Sequence, residues 1–280
     1  MKIAIASGKG GTGKTTIATN LALSLDNVQL LDCDVEEPDS HLFLDLKLEK
    51  IDDILISIPK IDEKKCDYCG ECSKFCQYHA LAVVRDKVLF FSDLCHGCGG
   101  CTLVCPKVAI TEETRPIGKL EGGSSGKLEF YQGLLNIGEA MATPIIKALK
   151  NKIKEDKIAI IDSPPGTACP VIESVNETDF VLLVTEPTPF GIHDLKLAVE
   201  MVRAMNLQFA VIINRDGIGN DRVEKYCEDE KIKILLKIPH DEQIARLYSK
   251  GIPFVIELPE WKQQFIDLYN KIDSELEGGS

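Results

Sequence analysis

A glycine- and lysine-rich stretch near the start of the chain has the residue types of a polyphosphate-binding loop. Ser7–Thr16 read SGKGGTGKTT, which contains the spacing Gly-x4-Gly-Lys-Thr. The sequence predicts an apolar strand before it, over Lys2–Ala6, and a helix after it, over Thr15–Leu25. In that setting the glycines let backbone N–H groups surround phosphate oxygens at a helix N-terminus. A nucleotide site is therefore predicted, the alternative being a glycine turn that binds nothing.

This loop supplies most of the candidate nucleotide ligands. Lys14 would neutralise the β- and γ-phosphates, and the hydroxyl of Thr15 would ligate Mg²⁺. Lys9 is an additional lysine that the generic loop does not require. The predicted nucleotide-binding residues of the loop are Gly8, Gly10, Gly11, Thr12, Gly13, Lys14, Thr15 and Thr16.

Eight of the eleven cysteines form an internal repeat that could bind metal. The two runs are Cys66-x2-Cys69-x2-Cys72-x3-Cys76 and, 29 residues later, Cys95-x2-Cys98-x2-Cys101-x3-Cys105. Tight triplets of this kind suit the corners of a cubane iron–sulfur cluster. Zinc is the alternative, because thiolates bind both metals, although zinc ribbons pair cysteines as two separated Cys-x2-Cys units.

The rest of the chain must supply the elements that position these groups. Strand-like runs alternate with helical patterns, which predicts crossovers and an α/β fold with a doubly wound, mainly parallel sheet. Ligands of such sheets collect at the carboxyl ends of the strands. The predicted strands after the first are Val28–Leu31, Ile158–Ile161, Phe180–Val184, Phe209–Ile213 and Ile234–Leu236.

Polar motifs follow four of these strands, where a ligand would bind. On the residues alone, paired acids also cap helices or face solvent, and an asparagine also caps a turn. The motifs are Asp32-Cys33-Asp34, Asp162-Ser163-Pro164-Pro165-Gly166, Asn214-Arg215 and Ile238-Pro239-His240-Asp241.

Composition excludes several classes of partner. The net charge of −12 opposes general binding to nucleic acid and adhesion to anionic membranes. No apolar run reaches the length of a membrane span, and Met1–Ala6 predicts a core strand rather than a signal peptide. Eleven cysteines then indicate metal or redox chemistry in a cytoplasmic protein rather than disulfides.

Together the lysine-bearing loop and the cysteine repeat resemble the MinD-superfamily P-loop ATPases that contain an inserted two-cluster ferredoxin domain. This class is related to Mrp-type cluster carriers, to ParA and to the nitrogenase iron protein. The resemblance implies a P-loop NTPase domain over residues 1–59 and 113–280, interrupted by an α+β ferredoxin-like insert over residues 60–112. It further implies Mg²⁺-dependent ATP hydrolysis in a homodimer, or in a heterodimer with a paralogue.

The resemblance also implies roles for individual residues. Lys9 would reach across the dimer interface to the partner's nucleotide, as in the deviant Walker A loops of this class. Asp34 would lie by the γ-phosphate and position water or couple to Mg²⁺, while Asp32 supports the loop. Asp162 would hold Mg²⁺ together with Thr15, directly or through water.

Three further roles come from the same resemblance. The N–H of Gly166 would sense the γ-phosphate, and Asn214 would read adenine. Pro239 and Asp241 belong to the loop that closes over the base in MinD-type ATPases.

The ferredoxin resemblance implies a crossed ligand set, in which the fourth cysteine of each run binds the other cluster. Gln77 stands where proline is usual after the first run, whereas Pro106 follows the second. The implied ligands are Cys66, Cys69, Cys72 and Cys105 for one [4Fe–4S] cluster, and Cys95, Cys98, Cys101 and Cys76 for the other.

Cys169 lies seven residues after Asp162, at a predicted helix start. The nitrogenase iron protein has a bridging-cluster cysteine at this offset, so Cys169 is either a metal or redox ligand at a dimer interface or a packed thiol. Cys33 and Cys227 are expected to be structural. The C-terminal helical pattern from Trp261 to Ile272 predicts packing on the body, followed by a frayed tail over residues 277–280.

Three functions fit these features. The first is an ATP-driven redox protein that passes electrons through two clusters to an unknown redox partner. The alternative is an ATP-dependent carrier or assembly factor that delivers an iron–sulfur or metal cluster to a client protein. A positioning ATPase of the MinD or ParA kind is a third, which the acidic charge and the absence of a basic C-terminal helix disfavour.

Overall fold

The computed structural model describes residues 1–278, so the last two residues of the predicted tail lie outside the described residues. Glu277 and Gly278 end the final helix instead of fraying. The strands are β1 (Lys2–Ala6), β2 (Val28–Asp32), β3 (Glu49–Ile61), β4 (Leu81–Val84), β5 (Lys87–Phe90), β6 (Ile110–Ser125), β7 (Leu128–Leu135), β8 (Ile158–Asp162), β9 (Phe180–Thr185), β10 (Phe209–Asp216) and β11 (Ile234–Pro239). The helices are α1 (Lys14–Ser24), α2 (Glu71–Phe75), α3 (Gly100–Leu103), α4 (Thr143–Lys150), α5 (Cys169–Val175), α6 (Pro189–Ala204), α7 (Arg222–Asp229), α8 (Glu242–Tyr248), α9 (Phe254–Glu257) and α10 (Pro259–Gly278).

Nine strands form one mixed sheet in the order β11-β10-β9-β1-β8-β2-β7-β6-β3. The pairs from β11 to β7 are parallel, which confirms the predicted mainly parallel α/β sheet. Strands β6 and β3 are antiparallel additions at one edge. Parallel strands need crossovers, and the helices that make them cover both faces of the sheet.

Helices pack on both faces because the central strands are apolar on both sides. In β8, Ile160 and Ile161 are fully buried and belong to cores on opposite faces of the sheet. Helices α4 to α7 cover the Ile161 face, whereas α1, α9 and α10 cover the Ile160 face. Phe265 of α10 is fully buried there, so the predicted packing of the C-terminal helix is confirmed. Within residues 1–278, none of the helices is long and apolar enough to cross a membrane.

Strands β3 and β6 extend beyond the sheet as a two-stranded antiparallel ribbon. Their pairing continues from Leu55 opposite Pro116 to Ile61 opposite Ile110, a length of about 20 Å. The ribbon connects residues 62–109 to the sheet edge without an irregular linker. The predicted domain boundaries fall on this ribbon, where Pro59 pairs directly with Glu112.

The composition of Gly122–Gly126, three glycines and two serines, predicts a flexible turn, but this prediction is wrong for all but the last residue. Gly122 to Ser125 belong to β6, and the turn into β7 begins at Gly126, whose φ is +58°. A Cβ on Gly123 would lie 2.5 Å from the carbonyl oxygen of Lys47. Glycine is therefore required here by a close backbone approach within the sheet, which a composition-based turn signal does not distinguish.

Residues 62–109 repeat their backbone conformation as well as their cysteines. Residues with positive φ recur at the 29-residue offset: Tyr68 with Gly97, Gly70 with Gly99, and His79 with Val108. The short helices α2 and α3 occupy the same place in each half, after the second cysteine of each run. The sequence repeat is therefore a structural repeat, with β4 and β5 as a separate hairpin beside it.

Glu129, at the start of β7, anchors the segment that leads from α4 into β8. Its carboxylate accepts hydrogen bonds from Lys154 and Lys157, both at 2.8 Å, and from Gln29 at 3.1 Å. Burial acts to raise the pKa of Glu129, but the two lysines lower this pKa to about 2. This pair of cations therefore stabilises the folded state wherever Glu129 is ionised.

We predict that Glu129→Gln lowers the free energy of unfolding by about 1 kcal/mol at neutral pH, because the ion pairs are lost. The folded-state pKa lies below the unfolded value, so the contribution is present above about pH 4.5 and disappears as the pH falls towards 2. Urea titrations of both proteins across this range measure the difference. Asp26→Asn, which removes an exposed pair with Lys127, is the control expected to leave stability unchanged. A difference that persists at the acidic end would contradict the ion-pair origin.

Candidate functional site

The glycine-rich loop turns tightly between β1 and α1. Gly11 and Gly13 have φ values of +77° and +93°, a region that glycine adopts without steric cost. Lys14 begins α1 and is only 7% exposed, so its ammonium is held at the helix N-terminus. A Cβ on Gly13 would also lie 2.3 Å from the side-chain amide of Asn214. Both conformation and space therefore require glycine at this position.

A cleft of about 500 Å³ opens over this loop, a volume suited to a nucleotide. Its far wall is made by α8 and the start of α9, where Tyr248 and Phe254 provide apolar surface for a base. The predicted residues that line the cleft are Gly10, Gly11, Gly13, Lys14, Thr15, Thr16, Asp34, Asn214, Pro239 and Asp241.

The remaining predicted residues of the loop support it from behind. Gly8 allows close contact with α6, since a Cβ there would lie 2.1 Å from the carbonyl oxygen of Asp194. Thr12 is buried and its hydroxyl has no hydrogen-bond partner. Its carbonyl oxygen accepts a hydrogen bond of 2.8 Å from Asn214. These residues shape the loop rather than the cleft surface.

Three carboxylates meet beside the loop. Oxygens of Asp32, Asp39 and Asp162 lie within 4.8 Å of one another. One oxygen of Asp162 accepts a hydrogen bond from the Ser40 hydroxyl at 3.2 Å, while Oδ1 is buried without a partner. An unpaired buried carboxylate oxygen among other acids fits a divalent cation, which takes oxygen ligands.

Asp39 is a candidate ligand that the sequence analysis missed. It lies seven residues after Asp32, in a segment without periodicity, so no spacing rule singles it out. The tertiary structure brings it to the site because Asp32 accepts hydrogen bonds from the backbone N–H groups of Asp34, Asp39 and Ser40. Asp32 thus supports the loop, as expected, and aims the carboxylates of Asp34 and Asp39.

Burial raises the pKa of Asp162 and of Asp34, and the ammonium of Lys14 opposes the effect. The pKa of Asp162 is about 7 and that of Asp34 about 6. Burial, reinforced by the neighbouring charge of Asp162, raises the pKa of Asp32 well above its usual range. Such clustered carboxylates are costly without a cation, which is typical of a functional site rather than of a structural core.

Lys9 is held within its own chain by an acid that the sequence analysis did not single out. Its ammonium forms an ion pair of 2.5 Å with Glu186, which follows β9 and also binds Arg215 at 3.1 Å. Burial acts to raise the pKa of Glu186, but these two cations lower it below its usual value. Lys9 does not line the cleft, so its predicted role with a nucleotide requires the ion pair with Glu186 to open.

Two other predicted groups already have partners within the chain. The N–H of Gly166 donates to the carbonyl oxygen of Ser7 at 3.0 Å, so phosphate sensing by this N–H requires that bond to break. The carboxylate of Asp241 accepts from the N–H groups of Gln243 and Ile244 and caps α8. Asp241 therefore positions the cleft wall through the helix N-terminus.

The eight repeated cysteines surround two separate cavities between the ribbon and the β4–β5 hairpin. The first cavity also contains Val83, Val88 and Ile110, and the second contains Phe75, Tyr78 and His96. The rings of Tyr78 and His96 stack with centroids 3.5 Å apart. The cysteines of the first cavity are Cys66, Cys69, Cys72 and Cys105, and those of the second are Cys76, Cys95, Cys98 and Cys101.

Backbone donors point at equivalent sulfurs in the two cavities. The N–H of Ala80 lies 3.4 Å from the sulfur of Cys76, and the N–H of Ala109 lies 3.3 Å from that of Cys105. No three of the thiol sulfurs in residues 1–278 lie within 4.8 Å of one another. Tetrahedral zinc would bring its sulfur ligands to about 3.8 Å. The donor set and its wide spacing therefore fit a cluster better than a single ion.

The other cysteines differ in exposure. Cys33 and Cys227 are buried, which confirms their expected packing in the core, and burial raises the pKa of both thiols. Cys169 is exposed at the first residue of α5. It lies four residues after Pro165, which lines the nucleotide cleft.

Comparisons with known proteins agree with the interpretation of this cleft as a nucleotide site. A family model described as the CobQ/CobB/MinD/ParA nucleotide binding domain matches residues 3–254. An uncharacterized protein of Methanocaldococcus jannaschii is 35% identical over 263 residues, covering 91% of each chain. An iron–sulfur cluster carrier protein of Pyrococcus abyssi is 25% identical over 298 residues, covering 98% of this chain and 86% of that protein.

The solved structure of the septum site-determining protein MinD of Pyrococcus horikoshii, in complex with Mg-ADP, has the same fold. Its TM-score is 0.58 at 21% identity, with 97% of this chain and 95% of that chain covered. The family match spans the glycine-rich loop, the clustered acids and the cleft wall. The chain therefore belongs to the CobQ/CobB/MinD/ParA family of nucleotide-binding proteins.

Proposed function

We propose that the chain is an Mg²⁺-dependent ATPase that couples nucleotide turnover in a dimer to electron transfer through two [4Fe–4S] clusters. The observation that carries this proposal is the sorting of the eight cysteines. The fourth cysteine of each run lines the cavity of the other run's triplet, as the crossed ferredoxin ligand set requires. A continuous ribbon joins these cavities to the sheet that bears the nucleotide cleft.

The nucleotide half of the proposal uses the groups that line the cleft. The backbone of Gly10 to Thr16 would surround the phosphates, with Lys14 neutralising their charge. Thr15 and Asp162 would hold Mg²⁺, and Asp39 would stabilise its water shell. Asp34 lines the cleft and would orient the attacking water beside the γ-phosphate. Tyr248 would pack on the base, next to Asn214.

The cysteine half uses the first cavity for one cluster and the second cavity for the other. When bound, such clusters supply one-electron chemistry. The protein's own contribution is to place backbone N–H donors and apolar side chains around the sulfurs, which tune a cluster's potential. The residues that would hold the clusters are Cys66, Cys69, Cys72 and Cys105, and Cys76, Cys95, Cys98 and Cys101.

Dimer formation would release Lys9 from Glu186. A partner's nucleotide offers phosphate charge in exchange for the carboxylate, so the ammonium would remain paired. Because Glu186 also binds Arg215, it would keep one cationic partner after Lys9 moves. The partner is a second copy of this chain or a paralogue.

A second candidate is an ATP-dependent carrier or assembly factor for iron–sulfur or metal clusters. The observation that favours it is the exposed thiol of Cys169 at the start of α5, four residues after Pro165 of the nucleotide cleft. The relative in Pyrococcus abyssi, which is named an iron–sulfur cluster carrier protein, supports the same reading. In this role Cys169 would bind the transferred cluster as cargo at the dimer interface.

We predict that Lys14→Ala weakens ATP binding by about 10- to 100-fold and stops turnover, since a charge-assisted phosphate contact is lost. Both clusters should remain, because Lys14 lies in the cleft and not near the cysteine cavities. Equilibrium binding of ATP and iron analysis of the same samples measure both results. Lys262→Ala, on the exposed side of α10, is the control. Normal turnover by Lys14→Ala would show that the nucleotide site is assigned wrongly.

We predict about eight irons per chain, as two [4Fe–4S] clusters require, and a cluster potential that shifts when MgATP binds. An anaerobic redox titration followed by EPR, with and without MgATP, measures both. A shift supports the coupled redox protein. Eight irons without a shift would reject coupling and favour the carrier role, whereas zinc in place of iron would reject both.

We predict that Cys169→Ala leaves ATP turnover and both ferredoxin-type clusters intact. If the carrier role holds, the variant loses cluster transfer to an apo-ferredoxin acceptor, because the exposed ligand is gone. Cys227→Ala is the matched control, since it removes a buried thiol of α7 that does not line the cleft. Transfer at the wild-type rate by Cys169→Ala would remove this residue from the mechanism.

A further inference from the structure

Arg115 joins the nucleotide-binding body to the second cysteine cavity. It lies on β6, in the ribbon, and forms a two-pronged ion pair with Glu139, with Nη2 and Oε2 2.9 Å apart. The Arg115 and Glu139 side chains are only 19% and 12% exposed. The pair is therefore largely shielded from water, as are those of Lys9 with Glu186 and of Lys157 with Glu129.

On the cysteine side, Arg115 contacts the turn that leads into the second run. Its Nη2 donates to the carbonyl oxygen of Ser92 at 3.4 Å. The same carbonyl accepts the N–H of Cys95 at 3.1 Å, so Arg115 and Cys95 share one acceptor. The guanidinium is a permanent cation, and this contact holds it beside the Cys95 end of the second cavity. Arg115 therefore favours negative charge in the second cavity.

One hydrogen-bond donor of the Arg115 guanidinium has no partner. Its Nε is buried without a hydrogen-bond partner. Buried guanidinium donors are normally satisfied, since leaving one unpaired is costly. The unpaired donor therefore leaves part of the guanidinium charge uncompensated at this junction.

On the body side, Glu139 belongs to the loop over residues 136–142, which follows β7. The loop begins after Leu135, whose N–H donates to the carbonyl oxygen of Val35 at 2.8 Å. Val35 is the neighbour of Asp34 in the nucleotide cleft. The loop ends at Ala142, which shares a cavity of about 270 Å³ with Asp34 and Pro165. Both ends of the loop therefore touch segments that line the nucleotide cleft.

We propose that Arg115 is a positioning residue that couples the two sites. Its ion pair with Glu139 makes the Arg115 side chain move with the loop at the nucleotide cleft. Its hydrogen bond to Ser92 places the guanidinium charge beside the Cys95 end of the second cavity. The proposal rests on the proposed function, because it assumes a cluster in that cavity. A movement of the Asp34 and Pro165 segments on nucleotide binding would shift the Arg115 charge and change the potential of this cluster only.

The first test is an anaerobic redox titration, followed by EPR, of the full chain and its variants. In Arg115→Gln, one of the two potentials should move to a more negative value, because the reduced cluster loses a nearby cation. The other potential should not move. Lys60→Gln, which removes an exposed cation on the same ribbon, is the control expected to change neither. If both potentials of Arg115→Gln equal those of the wild type, the proposal is overturned.

The identity of the affected cluster is tested in a Cys98→Ser background, which removes a ligand of the second cavity alone. There, Arg115→Gln should leave the remaining potential unchanged. A shift of the same size would place the effect at the first cavity and overturn the assignment.

Coupling is tested separately from charge by two conservative variants. Glu139→Gln keeps the Arg115 charge but weakens its link to the loop, so the MgATP-dependent shift should be lost while the nucleotide still binds. Arg115→Lys keeps the charge without the two-pronged geometry, so its resting potential should be nearer to wild type than that of Arg115→Gln. An undiminished MgATP-dependent shift in Glu139→Gln would overturn the coupling.

Hydrogen exchange of the full chain as isolated provides a readout that does not depend on the measured potentials. MgATP should change the protection of residues 92–95 in the wild type, and this change should disappear in Glu139→Gln. No effect of MgATP on these residues in the wild type would overturn the coupling. If the wild type binds no iron at all, the proposed function fails, and this exchange experiment alone decides whether the contact between Arg115 and Glu139 transmits nucleotide binding.

Discussion

The parallel pairing of β2 with β8 is the constraint on which the nucleotide site depends. Its register places Asp32 directly beside Asp162, with both carboxylates buried at the carboxyl ends of their strands. Two adjacent buried acids repel each other and lose hydration, so they need compensation. Lys14 and the N–H groups that bind Asp32 supply part of it. A cation at the unpaired oxygen of Asp162 would supply the rest.

The antiparallel edge of the sheet solves a different problem, which is how to attach a small cysteine-rich unit to a nucleotide-binding body. A flexible linker would let the two parts move independently. The β3–β6 ribbon instead continues the hydrogen bonding of the sheet up to residue 61 on one strand and residue 110 on the other. Arg115 adds a shielded ion pair across the same junction. The attachment therefore restricts relative motion, which is a requirement for transmitting a conformational change.

The cysteine-rich unit is too small to build a large apolar core of its own. Its buried apolar cluster consists of Cys72, Leu81 and Ile110, with a few partly buried neighbours such as Val88. Domains of this size usually need disulfides or metal to fold stably. Under the proposed function, the thiols around the two cavities would contribute to stability as well as to redox chemistry by binding the clusters.

Regular spacing is what made the sequence informative. The alternation of strands and helices indicated the parallel sheet, because crossovers leave a periodic pattern. The cysteine repeat indicated two equivalent sets of four, and their grouping into two cavities followed the implied crossed order. Predictions that relied on composition were weaker, since Gly122 and Gly123 proved to be strand residues that a neighbouring chain segment approaches closely.

The sequence by itself determined the family, the sheet type and the candidate groups for chemistry, because each depends on residues close together in the chain. Only the tertiary structure decided which distant residues complete the sites. Asp39 joins the acids through the hydrogen bonds of Asp32, and Glu186 holds Lys9 from 177 residues away. Glu139, in the loop after β7, pairs with Arg115 of the ribbon. Such contacts depend on strand order and register, which no local pattern encodes.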